Sequence, residues 1–272
     1  MLNIDLLPFQ KETVMDAEGL IKEFNEINND ETLTLDRKNT RLAVIAKQLI
    51  DVTIDCYNKT AEQYGDIKLR SEIDEFNTIL WDVFSKSVNK VFHSMTNIKI
   101  LDIGAGTGRD LLHGQIVGKG AYDMYGIEIP DSFINSLDNL FKSGQIKNKV
   151  KKCDMRDIDY PDGFFDVVRH NATLLHMPVI AKGYTADKAI EEAHRVLKKG
   201  GLLYINVKGG ESGLRSHNTN EGLGERVFQF FSMDLLHEVT ERNGFKVIVT
   251  EELHEVRPKE TIVWLVVMAQ KI

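Results

Sequence analysis

The feature that most constrains this chain is the run ILDIGAGTGRD at positions 100–110. A short apolar stretch closes on Asp102 and Ile103. Glycine then occupies every second position, at Gly104, Gly106 and Gly108, and a helix-compatible segment follows. Glycine lets the main chain turn tightly and lets a ligand approach it with no Cβ between them. In open α/β sheets, ligands gather at such a bend, beyond the carboxyl ends of the strands. The spacing is G-x-G-x-G rather than the G-x-G-x-x-G of dinucleotide sites. Asp102, two residues before the first glycine, suits a cationic group and repels a pyrophosphate. The next apolar run ends at Glu128, whose carboxylate can accept from ribose hydroxyls. Nicotinamide-binding enzymes share that last feature, so a NAD(P)-dependent oxidoreductase stands as an alternative.

The rest of the chain frames this bend. Apolar runs at 98–103, 124–129, 150–153, 165–169, 202–207, 245–250 and 261–268 alternate with helical patterns at 109–118, 131–143, 186–197 and 233–243. Strand–helix alternation of this kind predicts an α/β, doubly wound, mostly parallel sheet. The last two runs are joined by 251–260, which includes Pro258, so a hairpin and an antiparallel final strand are expected. Before about Asn97, apolar residues recur at helical spacing in three stretches, with breaks predicted at 28–30 and 64–66. The stretch 209–225, rich in Gly, Asn and Ser, reads as a long loop of the kind that forms lids.

Composition narrows the classes of partner. The 272 residues carry a formal net charge of −7, which disfavours binding dominated by phosphates. The two cysteines, Cys56 and Cys153, give no disulfide framework, and the eight histidines show no metal-ligand spacing. The N-terminus lacks a basic segment followed by a long apolar run, and no stretch has the length of a membrane span. A cytoplasmic protein with no metal, membrane or nucleic-acid partner is expected.

The run at 100–108 followed by YGIE at 125–128 resembles motifs I and II of class I S-adenosylmethionine (SAM)-dependent methyltransferases. Further segments match in order: CDM at 153–155, FDVV at 165–168, ATLLH at 172–176 and EEAHRVLKKGGLL at 191–203. The resemblance implies a Rossmann-like seven-stranded sheet, SAM as cofactor and methyl transfer as the activity. It also implies roles. Asp102 and the main chain of Gly104, Ala105 and Gly106 would hold the methionine end. Glu128, with Ile129, would grip the ribose. Asp154 and Met155 would meet the adenine, and Asn171 would complete the cofactor contacts. The segment YNKTAEQY at 57–64 resembles the family's covering segment, with Tyr57 and Tyr64 on one helical face. The expected division is a helical extension over 1–56 and a methyltransferase domain over 57–272, with a lid at 57–66 and a loop at 209–225.

For the acceptor side, the candidates follow the fourth run. His176 is a candidate base. His170 and Arg169 are adjacent, so at most one of them faces the pocket. An arginine there would pair with a carboxylate acceptor, and Lys208 is placed to reach an anionic one. The Asn-Pro-Pro-Tyr signature of enzymes that methylate nucleic-acid amino groups is absent. The expected acceptor is an oxygen, nitrogen or carboxylate on a small molecule or peptide, the chain being a monomer or homodimer. A non-catalytic SAM-binding subunit of a methyltransferase complex is the remaining alternative, because a binding motif does not establish turnover.

Overall fold

The computed structural model describes residues 15–66, 75–92, 96–218 and 224–272. Seven strands form one sheet: β1 (Ile98–Ile103), β2 (Tyr122–Glu128), β3 (Lys151–Lys152), β4 (Phe165–Asn171), β5 (Leu197–Lys208), β8 (Phe245–Val256) and β9 (Thr261–Lys271). Their order is β3-β2-β1-β4-β5-β9-β8. The first five are parallel, and β9 runs antiparallel to both of its neighbours. From β1 the chain moves outward to β2 and β3, then returns to place β4 on the other flank of β1. The sheet is Rossmann-like, and the order reverses at the end of β1, where ligands of such sheets bind.

Strand residues alternate between two cores. Leu101, Ile103, Val168 and Leu203 pack on one face. Ile98, Ile100, Val167 and Leu202 pack on the other. Burial of both faces explains why these strands read as continuous apolar runs. The helices α4 (Arg109–Val117), α5 (Asp131–Lys142), α6 (Thr185–Val196) and α7 (Met233–Glu241) lie within two residues of their expected bounds.

Three helices precede the sheet: α1 (Ala17–Asn29), α2 (Leu35–Asp66) and α3 (Glu75–Phe92). Asp16 caps α1 by accepting from the Gly19 amide at 2.9 Å. The chain leaves that helix at Asp30, within the expected break. The break expected at 64–66 is instead the last turn of α2, which is continuous from Leu35. One glycine, Gly65, does not end a helix so close to its terminus, where few intrahelical bonds remain to be lost. The segment 57–66 is therefore the end of a long helix, which also crosses the expected boundary at residue 56.

The stretch 209–225 likewise differs from expectation. It contains β6 (Gly213–Asn218), which pairs antiparallel with β7 (Glu225–Phe230). Leu214 and Val227 of this hairpin pack against Leu20, Phe24, Leu42 and Leu49 of α1 and α2. Glu225 also accepts from the Ala17 amide at 2.9 Å. The polar composition of β6 hides its strand character, because its apolar partners on α1 and α2 are far away in the chain.

This third apolar cluster holds the N-terminal helices to the hairpin, so its loss should be felt globally. Leu42 is 1% exposed, and Leu42→Ala is expected to cost about 2–5 kcal/mol. Urea unfolding of the purified variant checks this; a midpoint equal to wild type would mean that the cluster is not stably packed.

Candidate cofactor and acceptor site

The glycine bend owes its shape to both its backbone and its neighbours. The Gly104 and Ala105 amides donate to the Ile127 carbonyl at 2.9 and 3.1 Å, tying the bend to β2. Gly104 has φ +74°, and a Cβ there would lie 2.1 Å from Thr173 Cγ2. Gly106, at φ +52°, lines an open cavity. After β4 the chain turns through Ala172, which also has a positive φ of 55°. Such a conformation in a residue with a Cβ is uncommon and tends to mark functional sites. Thr173 fixes this turn by donating its hydroxyl to the Ile103 carbonyl at 2.6 Å.

The cavity measures about 220 Å³, room for a ligand rather than a single water. Its floor is the bend, with Gly104, Ala105 and Gly106. The end of β2 contributes Glu128 and Ile129, and Met155 and Asn171 form further walls. Tyr57 of α2 and His176, in a short 3-10 turn at Leu174–His176, close the upper side. Glu128 accepts from the Gly106 amide at 2.6 Å and the Ile129 amide at 2.8 Å. Burial raises its pKa, and these two amides oppose that rise. Each of its oxygens keeps a lone pair for a ligand hydroxyl.

Asp102, expected at the ligand, is instead turned inward. It is 2% exposed, does not line the cavity, and pairs with Arg169 at 3.2 Å. The parallel register sets Asp102 directly opposite Arg169 across β1 and β4, which explains the pairing. Arg169, expected as a possible acceptor ligand, is fully buried. Its guanidinium lies 4.4 Å from the Trp81 ring centre and also near Phe84 and Tyr204. His170 points to the opposite core and is likewise fully buried. Both of its ring nitrogens lack hydrogen-bond partners among the described residues, and burial pushes its pKa down to about 3. The structure thus brings neither Arg169 nor His170 to the cavity.

A residue that sequence reasoning passed over takes the carboxylate position on the cavity wall. Asp110, in the first turn of α4, accepts from Trp81 Nε1 at 2.9 Å, Arg109 Nη2 at 2.9 Å and Asn171 Nδ2 at 3.0 Å. Burial acts to raise its pKa, but Arg169, Arg109 and these hydrogen bonds outweigh it and hold the carboxyl well below the usual range. Burial, together with the Asp110 charge and against Arg169, lifts the Asp102 pKa to about 7. In sequence, an acid in a first helical turn reads as a partner for the helix dipole, and only the fold reveals its neighbours.

Asp154 lies beside the cavity rather than in its wall. Its carboxylate is gripped by Arg156, through Nε at 3.0 Å and Nη2 at 2.6 Å. Met155 reaches the cavity. Tyr64 sits in the last turn of α2, with its side chain outside the described residues.

Tyr57 and His176 are joined through Oη and Nε2 at 3.1 Å. His176 Nδ1 lies 2.9 Å from the Val227 carbonyl of β7. A carbonyl can only accept, so Nδ1 carries the proton and Nε2 accepts from the Tyr57 hydroxyl. Burial pushes the His176 pKa down to about 4, with Arg226 and Lys208 adding to the effect. The ring is therefore neutral near pH 7. Among the described residues, no cluster of three His, Cys, Asp or Glu side chains could hold a metal. No helix among them is long and apolar enough to cross a membrane.

Two outcomes follow from this geometry. Arg169→Met leaves two buried carboxylates without their shared cation, so about 3–5 kcal/mol of stability should be lost. Adding Asp102→Asn should recover part of it, as read by denaturant unfolding; additive losses would contradict the coupling. The depressed pKa values of His170 and His176 lie below the unfolded value near 6.5. The unfolded state then binds more protons, and stability should fall as pH drops from 6.5 toward 4. For His170 alone this amounts to on the order of 3 kcal/mol at pH 4. His170→Leu should flatten the pH dependence, and an unchanged profile would count against a buried neutral ring.

Residues 101–205 match a family model described as a methyltransferase domain. A search of curated proteins finds no relative. Among solved structures, a SAM-dependent methyltransferase from Methanosarcina mazei is 21% identical with a TM-score of 0.53, covering 65% of this chain and 94% of its own. A protein from Pyrococcus horikoshii is 14% identical with a TM-score of 0.53, covering 74% and 93%. The cyclase SpnF is 18% identical with a TM-score of 0.51, covering 70% and 80%. These likenesses concern the fold, whereas the matched segment spans the glycine bend, Glu128, Met155 and the turn holding His176. Residues 101–205 are thus similar to a methyltransferase domain, carried on a Rossmann-like fold shared with these solved structures.

Proposed function

We propose that this chain methylates an oxygen or nitrogen of a small molecule, with Tyr57 and His176 receiving the acceptor's proton. The observation that carries the proposal is the Tyr57–His176 pair on the cavity wall, with its tautomer set by the Val227 carbonyl.

The residues around the cavity fit the cofactor. Bare main chain at Gly106 borders open space where a side chain would intrude. Glu128 retains acceptor capacity for the ribose hydroxyls. Arg109 and Asp110 offer a cation and an anion side by side, matching the carboxylate and ammonium of a methionine moiety. Ala105, Ile129, Met155 and Asn171 complete the enclosure. Asp102 supports this site from beneath, through Arg169. When bound, SAM supplies a methyl group on a sulfonium that departs as a neutral thioether.

The chain's own part is to align the acceptor, exclude water and move a proton. Tyr57 donates to His176 Nε2, which leaves its oxygen lone pairs able to accept from an acceptor O–H or N–H. As that proton reaches Tyr57 Oη, the tyrosine proton passes to Nε2. The resulting imidazolium is costly in this buried setting, so proton movement belongs with methyl transfer rather than before it. The match of residues 101–205 to a methyltransferase domain favours methyl transfer over the oxidoreductase alternative. A non-catalytic cofactor-binding role differs from the present reading only in turnover.

The test combines calorimetry with product detection. Wild-type protein should bind SAM, and Glu128→Ala should weaken binding by about a hundredfold, the scale of lost hydrogen bonds to a charged group. With pools of hydroxy and amino acceptors, S-adenosylhomocysteine should accumulate. Tyr57→Phe and His176→Ala should slow turnover while leaving SAM affinity near wild type. Turnover should also be level between pH 8 and about 6 and fall as pH approaches the His176 value of about 4. Normal turnover in Tyr57→Phe would remove the pair from the mechanism. Binding without any product would favour the non-catalytic role.

A further inference from the structure

Part of the cavity wall beside His176 takes no part in the proposed proton transfer or in the cofactor contacts. On α2, Ile50, Thr53, Ile54 and Tyr57 stand at i, i+3, i+4 and i+7, the spacing of one helical face, and all four line the cavity. Met177, next to His176, also lines it and is 2% exposed. Ile50 and Met177 belong to one apolar cluster, and Ile54 packs against it. Val227 ties the two elements together. Its amide donates to the Thr53 hydroxyl at 3.0 Å, and its carbonyl meets His176 Nδ1 at 2.9 Å. The turn of α2 that carries Ile50 and Ile54 is therefore fixed beside the imidazole.

This stretch of wall has no counter-charge to offer. The Thr53 hydroxyl is already used twice, accepting from Val227 and donating to the Leu49 carbonyl at 3.1 Å. Among the described residues, the charged side chains on the cavity wall are Arg109, Asp110 and Glu128. They lie at the start of α4 and the end of β2. Arg109 pairs with Asp110, and Glu128 holds two amides. Arg226 and Lys208 act on His176 electrostatically, and Glu260 and Glu255 in turn act on Lys208. Neither of these cations is part of the wall.

A charged group set against Ile50, Ile54 and Met177 would leave water without a partner, which is costly. A hydrocarbon or aromatic body would instead gain from burial, in proportion to the area covered. The Tyr57–His176 pair makes the same selection. It can take a proton from a neutral O–H, whereas a carboxylate has none to give. An aliphatic amine enters as a cation near pH 7, but a phenol, with a pKa of about 10, enters neutral. Ligand pockets commonly combine an apolar wall with a few polar groups that fix orientation. Here the stripe is the wall, and the pair is the polar fixture.

We propose that Ile50, Ile54 and Met177 set the acceptor site's specificity for an uncharged hydroxy compound with an apolar body, of the chemistry of a neutral phenol. The word acceptor rests on the methyltransfer reading above; recognition of an uncharged apolar molecule does not.

Calorimetric titration of S-adenosylhomocysteine-loaded protein with three phenols tests this. The probes are 4-ethylphenol, 4-hydroxybenzoate and tyramine, which at pH 7 are neutral, anionic and cationic. The first should bind saturably, and the two charged phenols about tenfold more weakly or less. Ile54→Lys should shift the preference from 4-ethylphenol toward 4-hydroxybenzoate, with S-adenosylhomocysteine affinity near wild type. A purely structural role for Ile54 would not move that preference. If thermal unfolding shows that the lysine variant does not fold, Ile54→Ala replaces it. That variant should weaken 4-ethylphenol by about fourfold, the scale of one buried methylene. The assignment would be overturned by a charged phenol binding as tightly as 4-ethylphenol, by no saturable binding of 4-ethylphenol, or by a preference and affinity indifferent to residue 54. Failure of wild-type protein to bind S-adenosylhomocysteine would instead strike the methyltransfer reading, while the phenol series on unliganded protein would still report on the apolar wall.

Discussion

The guanidinium of Arg169, held between Asp102 and Asp110 in the core, is the interaction on which the rest of the site depends. It joins β1 to β4 through Asp102 and reaches α4 through Asp110. Trp81 of α3 both stacks on the guanidinium and donates to Asp110. The glycine bend runs between the two acids, so its position follows from this network. A buried ion pair is seldom a net source of stability, because desolvation consumes most of the attraction. Its value here is positional: a buried charge tolerates few arrangements of its neighbours, and so the strand ends and the helix start are held in one geometry.

The network also reaches the cavity surface. Asn171 donates to Asp110, and Asn206 of β5 donates to Asn171. The polar side chains at the carboxyl ends of β4 and β5 are therefore anchored to the same centre as the bend. Asp110 is the point at which this buried chemistry meets the ligand space, with its charge balanced by Arg169 and Arg109 rather than by solvent.

The opposite wall is built from parts with no sequence proximity. Tyr57 comes from α2, His176 from the turn after β4, and the Val227 carbonyl from the β6–β7 hairpin. The hairpin is held in place by α1 and α2, so the N-terminal helices support this wall of the cavity. The sheet and bend are the shared part of this architecture. That a cyclase has a similar fold shows how little the sheet alone says about the reaction.

The alternation of short apolar runs with helical patterns was enough to anticipate the seven-stranded sheet, its antiparallel strand and the glycine bend. These are local signals: strands buried on both faces must be apolar, and a bend at positive φ selects glycine. Glu128 and Met155 were legible from their order after the bend, and both line the cavity. The sequence alone did not separate the end of α2 from a lid, because a glycine near a helix terminus carries little local information. Nor did it show β6, whose apolar partners on α1 and α2 are remote in the chain. Most of all, it left open where Asp102, Arg169, His170 and Asp110 would point. That was decided by register across β1 and β4: a cation and an acid set opposite each other in a core without water must pair, and the next acid along the chain is left to face the cavity.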